Sequence, residues 1–151
     1  MNTLTLFLPT SDDTDALGRH LAATMPVRAV VFPHGDLGAG KSTLARALLR
    51  GLGVTGPIKS PTYTLIERYS LNDGDAAHLD LYRIAAAGEL DFLGLDELAS
   101  ARLWLVEWPE RGGGSLPAAD LEVVLAIEGA GRRVRLLPRT TTGAGWVADV
   151  S

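Results

Sequence analysis

The feature that most constrains this chain is one short run, Gly35-Asp-Leu-Gly-Ala-Gly-Lys41-Ser42. It matches G-x-x-x-x-G-K-[ST], the pattern of a phosphate-binding loop, or P-loop. Its flanks fit the motif. Val27 to Phe32 is apolar and β-branched, which predicts a buried strand. Ser42 to Leu52 spaces Leu44, Ala45, Leu48, Leu49 and Leu52 as an amphipathic helix does. The chain has only two lysines, Lys41 and Lys59, and one falls where the motif demands lysine.

Each residue type in the run has a physical task. The glycines let the backbone curl until successive N–H groups converge on one anion. The helix that follows aims its partly positive N-terminus at the same point. Nucleotide contacts are therefore expected from Gly35, Leu37, Gly38, Ala39, Gly40, Lys41, Ser42 and Thr43. Lys41 is expected to reach the β- and γ-phosphates of ATP, and the Ser42 hydroxyl to hold Mg²⁺.

Bulk properties narrow the rest. A length of 151 residues with 46% hydrophobic and 21% charged suits one ordinary globular domain. We expect that domain over residues 1–138. Residues 139–151 show no pattern and are expected to form a flexible C-terminal tail. With no cysteine, disulfide and thiolate chemistry are excluded. The N-terminal run lacks the basic start of a signal peptide. No apolar stretch approaches the ~18 residues of a membrane span, so a cytoplasmic protein with no membrane partner is expected. The net charge of −4 argues against tight unaided binding to tRNA or DNA.

Further elements follow from pattern. Thr3 to Leu8 alternates as a strand, and Thr10-Ser-Asp-Asp13 fits a capping box opening a helix to about Met25. Thr64–Leu71 and Ala76–Tyr82, around the turn Asn72-Asp-Gly-Asp75, predict a hairpin. Gly88 to Ala101 predicts short helices, and Arg111 to Ser115 a loop. Leu121–Glu128 and Arg132–Leu137 predict a second hairpin.

Three further groups could carry chemistry. Leu103-Trp-Leu-Val-Glu107 is an apolar strand ending in an acid, the form of a Walker B element whose carboxylate meets Mg²⁺. The plain alternative is a solvated strand end. In His78-Leu-Asp-Leu-Tyr-Arg83, alternation puts His78, Asp80 and Tyr82 on one face. That face is either solvated sheet surface or a site where Asp80 orients the attacking water. Ser60-Pro-Thr-Tyr63 is either a turn or a segment sensing the γ-phosphate through Thr62.

In order and spacing, the P-loop, Ser60-Pro-Thr-Tyr63, His78-Leu-Asp-Leu-Tyr-Arg83 and Val106-Glu-Trp-Pro-Glu110 resemble the TsaE (YjeE) family. This family holds the small ATPases of bacterial tRNA threonylcarbamoyladenosine (t6A) synthesis. The resemblance runs from about Thr3 to Pro138. Ser42 departs from it slightly, since the family usually has threonine there; both supply a hydroxyl. The resemblance implies an α/β fold, a P-loop NTPase sheet with a parallel core and antiparallel edge hairpins. It implies that Ser42 and Glu107 bind Mg²⁺, that Asp80, Lys41 and Thr43 serve hydrolysis, and that Trp108 lies close to the nucleotide. Contacts to the base are expected from Thr10, Ser11 or Arg133. The implied partners are TsaD and TsaB, with tRNA reached only through their complex. ATP hydrolysis is expected to be weak alone and stimulated by those partners.

The competing reading is a small P-loop kinase acting on a small molecule. Arg83 and Arg102 are the only basic residues between Tyr69 and Glu110, which makes an arginine-rich lid a poor expectation. A GTPase would need N-K-x-D, and neither Asn2 nor Asn72 supplies it.

Overall fold

The carboxyl ends of three parallel strands define where chemistry can happen in this chain. In the computed structural model, which describes residues 2–85 and 87–151, these are β2 (Ala29–His34), β4 (Gly74–Asp80) and β5 (Leu103–Glu107). They belong to one seven-stranded sheet with β1 (Leu4–Leu8), β3 (Ile66–Leu71), β6 (Leu121–Glu128) and β7 (Gly131–Pro138). The order is β1-β7-β6-β2-β5-β4-β3. Strands β4, β5, β2 and β6 run parallel; β3, β7 and β1 add on antiparallel. The expected parallel core with antiparallel edge hairpins is therefore the fold.

Burial follows the topology. β5 lies mid-sheet with both faces covered, and all five of its residues are buried. Such a strand reads as a continuous apolar run, not an alternating one. β1, at an edge, alternates. Helices α1 (Ser11–Thr24) and α2 (Lys41–Gly51) cover one face. Leu17, Leu21, Leu44 and Leu48 pack there on Val31, Leu105, Val123 and Val134. Short 3₁₀ turns at Ala87–Phe92 and Leu95–Leu98 lie beside the other core, of Leu79, Leu90, Leu98, Trp104 and Val106.

The capping box is present: Thr10 Oγ1 accepts from the Asp13 amide, and the Asp13 carboxylate accepts from the Thr10 amide at 3.0 Å. α1 and α2 meet where neither has bulk. A Cβ on Gly18 would lie 2.5 Å from the Ala47 Cβ, and one on Gly51 2.5 Å from the Ala22 Cβ.

Several boundaries differ from the sequence reading. β2 starts at Ala29 and continues through Pro33 and His34, because β6 pairs with it there. β4 stops at Asp80, so Tyr82 stands in the turn beyond and not on the strand. Residues Pro109–Ser115 form 3₁₀ turns where a loop was expected.

The largest correction concerns the tail. Residues Thr141–Val150 form a helix, α3, instead of fraying. Thr140 caps it, accepting from the Gly143 amide at 3.0 Å and donating to Asp120 at 2.7 Å. Trp146, 1% exposed, donates from Nε1 to the Leu21 carbonyl at 3.1 Å. Local propensity for a helix is low here, with Gly143 and Gly145 inside it. Docking of Trp146, Val147 and Val150 on the main core supplies the stability that propensity does not.

This packing predicts that Trp146→Ala will cost about 3–5 kcal/mol, the range for large-to-small changes of a buried aromatic. Urea unfolding of the two proteins measures it. A difference within error would mean that α3 is a dispensable tail.

Candidate active site

A cleft of about 590 Å³ opens where β2, β4 and β5 end. In parallel α/β sheets this carboxyl edge is where ligands bind. The loop between β2 and α2 forms its floor. Gly35 has φ 153°, and a Cβ there would lie 2.7 Å from the Leu125 carbonyl. Gly40, at φ 107°, starts α2 and offers no side-chain cap. The first-turn N–H groups of α2 therefore remain available to an anion. Arg132 braces the loop from β7, donating to the Gly38 carbonyl at 3.1 and 2.9 Å.

The cleft brings together most of the residues expected from the sequence. Gly35, Leu37, Gly38, Gly40, Lys41, Ser42, Thr43, Ser60, Thr62, Asp80, Glu107 and Trp108 all line it, as does Tyr82. Ala39 is buried beneath the loop. Asp80 and Glu107 sit side by side as register partners at the ends of β4 and β5. Each is 8% exposed, and His78 is 4% exposed. Neither a solvated strand end nor a solvated sheet face describes them.

Glu107 is held by charge. His78 Nε2 lies 2.8 Å from one carboxylate oxygen and Lys41 Nζ 3.7 Å from the other. Burial pushes the Glu107 carboxyl up. The hydrogen bond and charge of His78, with those of Lys41, overcome it and hold the group below the usual carboxylate value of 4.5. Asp80 is fixed by its own turn: its Oδ1 accepts from the Tyr82 amide at 3.0 Å. Its amide donates to the Leu65 carbonyl at 3.0 Å, tying it to the segment that begins at Ser60. In that segment the Ser60 and Thr62 hydroxyls are 2.7 Å apart.

Trp108 turns the chain off the end of β5 with φ 57° and ψ 51°, a left-handed conformation costing about 1–2 kcal/mol in an L-residue. The indole is thereby set against Tyr82, with ring centroids 5.0 Å apart, and 5.5 Å from Lys41 Nζ. An aromatic wall thus stands beside the cationic floor of the cleft.

The Ser42 hydroxyl and Glu107 carboxylate are hard oxygen donors on one cleft, the type Mg²⁺ selects. Mg²⁺ characteristically takes one or two protein oxygens and completes its shell with water and phosphate. Among the described residues no cluster of three or more His, Cys, Asp or Glu could hold a metal. The donor set fits an ion shared with a bound phosphate.

A second cleft of about 260 Å³ adjoins the first across Gly38, Gly40 and Thr43. Thr10, Ser11, Thr14 and Arg132 line it. Arg133, also expected near the base, does not line it: it pairs with Glu128 on the surface. The parity of β7 explains this. Arg132 shares a face with buried Val134 and Leu136, whereas Arg133 and the exposed Arg135 share the other. The buried positions alone could have revealed Arg132 in the sequence. The His78–Glu107 pair carried no such signal, because the two are distant in sequence.

The family model described as "Threonylcarbamoyl adenosine biosynthesis protein TsaE" matches residues 8–134. A protein of Haemophilus influenzae named tRNA threonylcarbamoyladenosine biosynthesis protein TsaE is 36% identical over all of this chain and 99% of its own. A Bacillus subtilis protein of the same name is 37% identical, covering 81% of this chain and 77% of its own. The crystal structure of Bacillus subtilis YdiB superposes with a TM-score of 0.82 at 26% identity, covering 99% of this chain and 94% of that one.

The lowered pKa of Glu107 fixes a sign. Its stabilising effect is complete above about 4.5, the unfolded value, and is lost as pH falls through the lower folded value. Melting temperature should therefore fall less steeply below pH 4.5 in Glu107→Gln than in the wild type. Parallel melting curves against pH would refute the pairing of Glu107 with His78 and Lys41.

Proposed function

This chain belongs to the TsaE family, and we propose that it is the ATPase subunit of tRNA threonylcarbamoyladenosine synthesis. The observation that carries the ATPase reading is the convergence, in one cleft, of the glycine loop, Lys41, Ser42, Asp80 and Glu107. The loop amides and the α2 N-terminus would hold the phosphates. Lys41 would exchange its long contact with Glu107 for the β- and γ-phosphates. Ser42 and Glu107 would hold Mg²⁺, which when bound supplies charge neutralisation at the phosphates. Asp80, restrained by its turn, would orient the attacking water, with Thr43 in support. Trp108 would flank the nucleotide. The second cleft, with Thr10, Ser11 and Arg132, would receive the base.

The partners in this reading are TsaD and TsaB, as the family resemblance implies, and tRNA is met only through their complex. The net charge of −4 supports that division of labour. No helix of the described residues is long and apolar enough to cross a membrane. A role in tRNA processing supports the reading of a cytoplasmic protein.

Asp80→Asn should largely spare ATP binding and cut hydrolysis about 10²-fold or more, the scale of a positioned acid–base group. Glu107→Ala should weaken Mg²⁺-dependent binding instead. Calorimetry together with a free-phosphate assay separates the two. Full hydrolysis by Asp80→Asn, or label recovered in a phosphorylated product in place of phosphate, would exclude the assignment and favour a kinase.

Hydrolysis should also be slow alone and faster with TsaD–TsaB. A cationic finger supplied in trans gives about 10³–10⁵ in rate in other P-loop enzymes. The Ser60–Tyr63 surface is the docking edge in this reading, with Tyr63 78% exposed. An unchanged steady-state rate in a demonstrated complex would make the chain a self-sufficient ATPase.

A further inference from the structure

His78 is buried and polar, and beyond its contact with Glu107 it has no part in holding the nucleotide. Its Nε2 lies 2.8 Å from Glu107 Oε2. A carboxylate held ionised can only accept, so Nε2 carries the proton and donates. Nδ1, the other polar atom of the ring, then needs a partner of its own. Nδ1 is buried with no protein partner. Buried polar atoms in native folds are almost always paired, with protein or with water.

The surroundings of His78 suggest the partner. It borders a cavity of about 60 Å³ with Ser42, Ala45, Arg46, Ile58, Lys59 and Ser60. That volume accommodates a water with polar neighbours. Ser42 is assigned to the metal. Arg46 and Lys59 are exposed chains whose charged ends can remain in solvent. The Ser60 hydroxyl is already fixed, 2.7 Å from Thr62, on a segment that also lines the main cleft.

We infer that His78 is a positioning residue coupling the Ser60–Thr62 segment to Glu107. Nε2–H sets the carboxylate, and Nδ1 meets the Ser60 side of the cavity through a bridging water. The inference rests on the reading of Glu107 as a Mg²⁺ ligand. A hydrogen-bond donor behind a metal-binding carboxylate fixes its orientation, and loss of such a partner typically costs 10–100-fold in metal affinity. Any displacement of the Ser60 segment would then be felt at the metal through one imidazole.

The test is a Mg²⁺ titration of the ATP-loaded protein, with ATP affinity in EDTA as the control for folding. His78→Leu should raise the half-saturating Mg²⁺ concentration about tenfold or more and leave the EDTA affinity unchanged. His78→Gln, whose amide can donate near the position of Nε2, should restore most of it. Ser60→Ala should weaken Mg²⁺ binding in the wild type and add nothing in His78→Gln, which has no Nδ1. In nucleotide-free protein, ¹⁵N NMR should show His78 protonated at Nε2, with an Nδ1 signal that moves in Ser60→Ala. A folded His78→Leu with wild-type Mg²⁺ response would overturn the inference. So would an equal effect of Ser60→Ala in both backgrounds. Should His78→Leu not fold, His78→Asn, too short to reach Glu107, takes its place with the same two outcomes. Glu107→Ala keeps the failures apart. If it leaves the Mg²⁺ response intact, the metal reading fails; if it alone abolishes the response, only the role of His78 fails.

Discussion

A carboxylate stays ionised out of water only if hydrogen bonds and opposite charge replace its hydration. Glu107 is under that constraint, and the site is arranged around it. Its partners come from different elements, His78 from β4 and Lys41 from the start of α2. They reach it only if β4 and β5 pair in the observed register and β2 delivers the glycine loop beside them. Side chains alternate along a strand, so a slip of one residue would move Glu107 to the opposite core, with Trp104 and Val106. The charge could not be met there. This buried carboxylate thus makes the sheet register a matter of stability.

The competing kinase reading meets a physical difficulty at the rim of the cleft. Arg102, one of the two candidate lid cations, is committed elsewhere. It binds Asp73 and the Val27 and Pro26 carbonyls, clamping the start of β2 to the β3–β4 turn. Arg83 lies over the Tyr63 ring at 4.4 Å and Arg111 over Tyr82 at 5.2 Å. These arginines brace exposed aromatic side chains of the rim. An exposed aromatic edge held by cations has the character of a protein-binding surface more than of a pocket for a small acceptor.

What could be read from the sequence was what local rules govern. The glycine run, the helix after it, the capping box at Thr10 and the hairpin around Asn72 each depend on residues a few positions apart. Their chemistry was therefore visible in the sequence, whereas the nearness of Glu107 to Lys41 and Ser42 followed only from the order of the motifs. The rest depends on partners distant in the chain. α3 is weak as an isolated helix and forms where Trp146 finds the Leu21 carbonyl, 125 positions away. Arg132 owes its place to Gly38, 94 positions away. His78 and Glu107 face each other only because two parallel strands are neighbours, an arrangement that neither strand announces.

The seam between α1 and α2 has a mechanical consequence. With Gly18 against Ala47 and Gly51 against Ala22, only a methyl group stands between the two backbones at each contact. Interfaces this tight cannot slide by fractions of a turn, because each small displacement meets backbone atoms. α2 is thereby held firmly against α1, with its uncapped N-terminal amides at the cleft. The strained backbone at the cleft lies elsewhere, at left-handed Leu65, which ends the turn from Ser60, and at the bend of Trp108. The fold thus sets a tightly packed seam behind the glycine loop and two strained backbone positions across the cleft from it.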